Sequence, residues 1–420
     1  MHHILSRLVP QSVKNSLYHR PLAIIAAVYF GFPGRQLRVI GITGTNGKTT
    51  TTQFIARILE RSNKKVAMAS TINFQIGEKK WTNASKFTTL SPWKLQKFLH
   101  DAVAAGCEYA VIETSSHALD QGRVSGIPYE IAVMTNVTRE HLDYHQTMAA
   151  YRRAKRQLFE RARMAVVNLD MEEPEEYLSA RRFEKRLSYG IEHDAADLVA
   201  TDIEETLSGS TFRVRGIACS LHLPGRYNIE NALAALGMAE LLGIDLGQAA
   251  AALGEIAGVP GRMESVPNTR GVSIIIDYAV TPDSLEKLYA LIARMRPQSK
   301  KIIAVFGACG ERDRGKRPIM GAIVSAQADI VILTNEDPYH EDPERIIDEI
   351  EQGIVGKEKE KDWFRIFDRR AAIARALSLA GPGDIVVITG KGAEETMAQG
   401  DERLPWSERT VILEELGKMR

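Results

Sequence analysis

Cysteine is scarce in this chain: Cys107, Cys219 and Cys309 stand far apart, and none belongs to a CxxC pair. That excludes a disulfide framework and a cysteine-built zinc site, and it fits a reducing, cytoplasmic compartment. Cys309 sits in a glycine-flanked loop without an evident activating base, so it is not assigned as a nucleophile. Net charge is scarce as well, with 54 Lys and Arg against 53 Asp and Glu. A chain-wide pull toward nucleic acid or membrane is thereby excluded. Long apolar runs are missing too. Leu22 to Phe32 (LAIIAAVYFGF) follows basic residues as a signal peptide would, but it is too short to span a bilayer and no small-residue cleavage site follows. It reads as a helix packed on the domain that begins a few residues later, with shallow membrane contact as the alternative.

What the chain does contain is alternation. At 420 residues it exceeds one ordinary core and implies two or three domains. Leu37 to Ile42 reads as a buried strand, then a glycine-bearing turn and a helix from about Lys48 to Arg61. Further buried strands are expected at Lys65 to Ala69, Tyr109 to Ile112, Ile131 to Met134 and Ala165 to Val167, in a largely parallel sheet. Alternation through Thr211 to Leu223 suggests an antiparallel addition, followed by helices at about Asn228 to Leu242 and Leu246 to Ile256. Gly258 to Arg262 (GVPGR) breaks that pattern as a hinge would. Beyond it, strands at Ser273 to Ile276, Lys301 to Phe306, Ile330 to Leu333 and Ile385 to Ile388 mark a second doubly wound α/β domain.

The sharpest local signal is Gly44-Thr45-Asn46-Gly47-Lys48-Thr49-Thr50 between a strand and a helix. Backbone N–H groups and the positive helix end can hold phosphate there. Lys48 supplies a point charge for the β- and γ-phosphates of ATP, and the Thr49 hydroxyl suits Mg²⁺. Ile42 stands where the general phosphate-loop pattern has its first glycine.

In this form, GTNGKTT resembles the phosphate loop of the Mur ligase family, which builds the peptide stem of peptidoglycan precursors. Further segments follow in that family's order: ETSSHALDQGR (Glu113 to Arg123), NVTREHLDYH (Asn136 to His145), YRRAKRQLF (Tyr151 to Phe159), PGRYNIENALAA, VPGRME, DYAVTPDSLE, GERDRGKRP, EDPYHEDP and GKGAEE. The resemblance runs from about residue 38 to the end. It implies a central phosphate-loop ATPase domain (38–262) with a mostly parallel sheet, and a C-terminal Rossmann-like α/β domain (263–420) that binds an amino acid. Residues 1–37 would be a short front segment.

The resemblance also implies roles. Lys48, Glu113, His141, Lys155 and Arg262 would be catalytic, with two Mg²⁺ sites drawn from Thr49, Glu113, His141 and Lys155 as a carbamate. A lone carboxylate at a strand end is more often a cap, a lone histidine more often a polar core group, and a lysine in a basic helix more often solvated. Carbamylation would turn a metal-repelling cation into an oxygen-donor anion. Asn228 and Asn231 would meet adenine, Asp277 the ribose, and Arg262 the γ-phosphate on domain closure. Loss of Lys48 or Arg262 should cost on the order of 10²-fold in rate. Thr88, Thr89, Ser115 and Arg123 would hold the carboxylate substrate. Arg312, Glu336, Asp337, Gly390 and Glu394 would receive the amino acid.

Three departures from the family pattern stand out. Tyr339 replaces the arginine of a DNPR motif that pairs with a distal carboxylate, which favours a substrate with a distal amine only, such as lysine or ornithine. Val280 replaces a frequent histidine. The front segment is much shorter than a UDP-binding domain, leaving uridine recognition to reduced contacts or a helper subunit. The expected reaction is ATP-dependent addition of the third amino acid, a diamino acid, to UDP-MurNAc-L-Ala-D-Glu through an acyl phosphate. A folylpolyglutamate-synthase-like acceptor and a non-catalytic nucleotide-dependent scaffold are the alternatives.

Overall fold

The computed structural model describes residues 18–83, 85 and 87–419. Residues 1–17 of the front segment lie outside that part. Short runs rich in Val, Ile and Ala form buried strands, and the amphipathic stretches between them form helices that cover both faces.

The first sheet contains β1 (Arg38–Thr43), β2 (Val66–Ala69), β3 (Asn73–Ile76), β4 (Lys79–Thr82), β5 (Tyr109–Glu113), β6 (Tyr129–Met134), β7 (Ala162–Asn168), β8 (Lys185–Gly190), β9 (Leu198–Thr206), β10 (Gly209–Val214) and β11 (Ile217–Leu221). Their order is β11-β10-β9-β8-β7-β6-β1-β5-β2-β3-β4. The block from β9 to β2 is parallel, and β10–β11 and β3–β4 add antiparallel edges. β7 begins earlier than the apolar pattern suggests. Arg163 faces solvent within it and pairs across the strands with Glu130 and Glu184, so the strand continues through a charged position.

The central strand is pressed from one side. A Cβ on Gly41 would run into Tyr129 and Leu158, so glycine lets the covering helix Met148–Phe159 lie close. On the opposite face, the helix Arg226–Leu241 is buried almost all round and packs with the helix Lys48–Arg61. Gly237 abuts Val166, again through lack of a side chain.

The second sheet contains β12 (Glu264–Ser265), β13 (Ser273–Asp277), β14 (Ile302–Phe306), β15 (Ile330–Leu333), β16 (Trp363–Arg365) and β17 (Ile385–Thr389), in the order β12-β13-β17-β14-β15-β16. A separate hairpin, β18 (Thr396–Gln399) and β19 (Glu402–Pro405), follows. The turn before β12 holds Gly261 at φ +66°, where a Cβ would strike the backbone at Gly392 and Ala393. This turn thus docks directly against the loop after β17.

The apolar run near the N-terminus forms the helix Arg20–Tyr29, packed on the helix Pro92–Ala104. It ends before Gly31 rather than at Phe32, because Gly31 takes a left-handed φ of +69°.

Candidate active site

Parallel strands deliver their following loops to one edge, and here the carboxyl ends of both sheets border a single cavity of about 660 Å³. β1, β5 and β6 supply the phosphate loop, Glu113 and the Asn136 turn. β13, β14, β15 and β17 supply Asp277, the loop with Cys309 and Arg312, Glu336 with Asp337, and Gly390 to Glu394.

The phosphate loop is held from outside. Asn136 accepts from Asn46 N through its side chain (2.9 Å) and from Thr45 N through its carbonyl (2.8 Å). Thr135 Oγ1 donates to Asn46 O at 2.6 Å. A Cβ on Gly44 would collide with the Thr135 hydroxyl, and one on Gly47, at φ +83°, with Asn231 Oδ1. Both glycines are therefore required by close approach. Lys48 Nζ donates to Gly44 O (3.1 Å) and Thr45 O (2.8 Å), and burial lowers its pKa.

At the start of the next helix, Thr49 Oγ1 donates to both oxygens of Glu113, at 3.0 and 3.2 Å. Thr71, which the sequence did not single out, donates to the same carboxylate from its N–H (2.6 Å) and hydroxyl (2.9 Å). Arg262 reaches in from the turn before β12, placing Nη2 3.2 Å from Thr49 Oγ1 and its guanidinium 4.6 Å from the Tyr278 ring centre. Thr49, Glu113 and Arg262 thus converge on one point.

Lys155 is fully enclosed. Its Nζ donates to Gly44 O at 2.6 Å and lies 4.3 Å from the Tyr151 ring centre. Burial, then repulsion by Lys48, hold its pKa well below the ordinary lysine value. His141, at φ +57°, faces the same cavity edge-on to His117, with ring centres 4.7 Å apart. Burial, then the neighbouring His117, lower its pKa to about 2, so it is a neutral imidazole able to donate a lone pair. Among the described residues, no group of three or more His, Cys, Asp or Glu is placed to hold a metal by itself. The oxygen-rich pair Thr49 and Glu113 instead suits a hard cation whose remaining ligands come from phosphate and water.

The proposed nucleotide contacts also gather here. Asn231 Nδ2 donates to Asn228 Oδ1 at 3.2 Å, while Asn228 Nδ2 bonds Pro224 O at 2.7 Å. Asn228 thus ties the start of its helix to the Pro224 carbonyl and also stands on the cavity wall. Asp277 Oδ2 accepts from Met263 N at 2.7 Å, and burial raises its pKa.

Among the residues expected to hold the carboxylate substrate, Thr89 Oγ1 bonds Glu113 O and Ser115 N, both at 2.9 Å, and Arg123 Nη1 donates to Thr89 O at 2.8 Å. Ser115 caps its helix through Ala118 N, so its hydroxyl is partly committed to local structure. Thr88, Thr89, Ser115 and Arg123 all line the cavity.

The amino-acid side differs from expectation in two details. Asp337 is not an open receptor: both of its oxygens accept from the buried Lys391 at 2.8 Å, and Oδ1 also accepts from Ala398 N. Lys391 also bonds Glu394. Gly390 does not line the cavity; at φ +113° it leaves room for Glu336, whose carboxylate a Cβ would meet. Arg312, Glu336, Asp337 and Glu394 do line it. Burial raises the pKa of Glu336 to about 7. Tyr339 carries no charge, but the Arg403 guanidinium from the hairpin lies 5.1 Å from its ring centre.

Contacts across the cleft were invisible in the sequence because they join distant segments. Asn46 Nδ2 donates to Asp283 at 2.8 Å, and Lys316 Nζ to Glu140 at 3.3 Å. His117, which meets His141, Tyr144 and His145, was likewise missed.

Comparison with known proteins decides the family. Residues 42–239 match the Mur ligase middle domain, and residues 261–392 match the Mur ligase, glutamate ligase domain. A UDP-N-acetylmuramyl-tripeptide synthetase of Roseiflexus sp. is 42% identical over 410 residues, covering 92% of this chain and 80% of the relative. The chain belongs to the Mur ligase family. Another Mur ligase, the UDP-N-acetylmuramoyl-L-alanyl-D-glutamate–2,6-diaminopimelate ligase of Syntrophomonas wolfei, is 41% identical, covering 95% of this chain and 82% of its own. A solved structure of a ligase of that description aligns at TM-score 0.63 and 35% identity, covering 91% of this chain and 79% of that one. Folylpolyglutamate synthase of Mycobacterium tuberculosis aligns at TM-score 0.71 with 20% identity, which shows the shared fold alone. As a Mur ligase, the chain is an ATP- and Mg²⁺-using enzyme that forms amide bonds.

Proposed function

We propose that this Mur ligase adds a diamino acid, as third residue, to UDP-MurNAc-L-Ala-D-Glu in the cytoplasm. The observation that carries the reading is the single cavity lined at once by the phosphate loop, by Arg123 and by Arg312 with Glu336. Three reactants can therefore meet: nucleotide, acceptor carboxylate and incoming amine.

Phosphoryl transfer between anions needs screening and alignment. Lys48 and Arg262 supply fixed positive charge where the transferring group passes, and Thr49 with Glu113 would hold a cation that screens the phosphate oxygens. Arg123 and the Thr89 shelf would orient the acceptor carboxylate. The activated acyl phosphate is then attacked by the amine, and phosphate leaves as the amide forms. Arg312 would pair with the amino acid's α-carboxylate, and Glu336 suits a distal ammonium.

Carbamylation of Lys155 belongs to the same proposal. A neutral, buried amine can add CO₂ and lose one proton, leaving an anionic oxygen donor between Lys48 and His141. The low proton affinity imposed by burial supports it.

The test is phosphate release by purified protein with ATP, Mg²⁺ and UDP-MurNAc-L-Ala-D-Glu against lysine, ornithine and 2,6-diaminopimelate. Release confined to one diamino acid supports the reading and names the third substrate. ATP binding without release on any of the three would overturn the acceptor assignment.

A further inference from the structure

The helix Arg20–Tyr29 is built with its bulk outward. Ala23, Ala26 and Ala27 are fully buried against the protein, whereas Ile24, Ile25, Val28 and Tyr29 are exposed by 43%, 59%, 58% and 70%. A surface helix ordinarily turns its larger apolar residues to the core. Here the small residues let the helix lie close over Gly126, where a Cβ would press on Ala27 at 2.9 Å. The large ones form an unpartnered apolar strip, and Trp93 of the adjoining helix Pro92–Ala104 extends it, with ring centres 4.9 Å from Tyr29 and 5.3 Å from Phe30.

The charge around this strip selects the occupant. The described residues 18–37 include Arg20 and Arg35 and contain no Asp or Glu, in a chain whose charges otherwise balance. Arg20, Arg35 and Lys94 are exposed near the strip, while Lys97 is paired with Asp101 at 2.7 Å. A second copy would bring the same cations face to face, whereas a surface of anionic headgroups complements them. Tyr and Trp at the rim suit the boundary between headgroups and acyl chains.

We propose that this face docks the enzyme on an anionic membrane surface, with the helix lying in the headgroup region. Among the described residues no helix is long and apolar enough to cross a membrane, so the contact is superficial. Tyr18, His19 and Leu22, at the start of the same element, line the active-site cavity, so docking sets the cavity mouth beside the lipid surface.

The experiment is flotation of the full chain with vesicles of phosphatidylcholine alone or mixed with phosphatidylglycerol. Tryptophan emission and ATP-dependent ligation are followed in parallel. The expected result is binding to the anionic vesicles, weakened by salt, with a blue shift. An Ile25→Glu/Val28→Glu variant should bind at least about tenfold less while keeping its ligation rate. Absence of flotation, or equal flotation of the variant, overturns the proposal. A dimer in solution that the same variant dissociates, with no vesicle binding, would assign the face to a second copy instead.

Discussion

Thr49 Oγ1 donates to both carboxylate oxygens of Glu113, joining the first turn of the phosphate-loop helix to the end of the neighbouring strand β5. β1 and β5 pair in parallel with Ile42 opposite Glu113, so adjacency in the sheet, rather than in sequence, creates this oxygen pair. Thr71 holds the carboxylate from the far side. Glu113→Gln keeps the shape and removes the charge. It should lower kcat by on the order of 10²-fold and raise the Mg²⁺ concentration needed for half-maximal rate. Steady-state rates across a Mg²⁺ titration check this, and an unchanged Mg²⁺ requirement would argue that Glu113 only positions Thr49.

Lys155 offers a chemical test. Lys155→Ala should lose on the order of 10²-fold or more in ligation, and short carboxylic acids added to the buffer should restore part of it by standing in for the carbamate oxygens. Wild-type protein equilibrated with ¹³C-bicarbonate should show a carbamate carbon resonance that the variant lacks. No resonance and no rescue together would leave Lys155 as an unmodified amine.

Glu336 should impose a pH dependence on amino-acid binding. Its pKa, raised to about 7 by burial, leaves it largely protonated below that pH and anionic above. KM for a diamino substrate should therefore fall as pH rises through about 7, and Glu336→Gln should remove that limb from the kcat/KM profile. The folded state also binds more protons than the unfolded one between about pH 4.5 and 7. Stability thus declines over that window in the wild type, and less so in the variant. Denaturant melts at a series of pH values would show the difference.

Arg317 is fully buried, and its guanidinium bonds Glu341 and Glu349 at 2.7 Å and the Cys309 carbonyl at 3.2 Å. It ties the loop carrying Arg312 to the loop after Glu336. Arg317→Met removes the buried cation that joins Glu341 to Glu349, with Arg314 still beside both carboxylates, and should cost about 3 kcal/mol in unfolding free energy. Arg317 also holds Glu341 down to about 2. The pair's contribution is complete above about pH 4.5 and is lost as pH falls toward 2, so wild type and variant should converge in acid.

Much of this protein was readable from local pattern. GTNGKTT between a buried strand and a helix required a phosphate loop, because only glycine fits where Thr135 and Asn231 crowd the backbone. The apolar runs placed β1, β5, β6, β13, β14, β15 and β17 nearly residue by residue, since strands buried on both faces must be apolar throughout. Strands with charged or mixed faces, such as β3, β4 and β8, were not anticipated. Edge or half-exposed strands need no continuous apolar run.

The sequence by itself determined the two α/β layers, the loops at their strand ends and the chemistry those loops could carry. Local propensity, periodicity and turn geometry act over a few residues and leave their mark there. Tertiary structure alone decided that Lys391 occupies Asp337, that Arg403 lies over Tyr339 and that Asn46 meets Asp283 across the cleft. It also turned the bulky side of the first helix outward, a choice its uniformly apolar residues could not reveal. These outcomes depend on which distant surfaces meet, and a hydrogen bond between residues hundreds apart has no local signature in the chain.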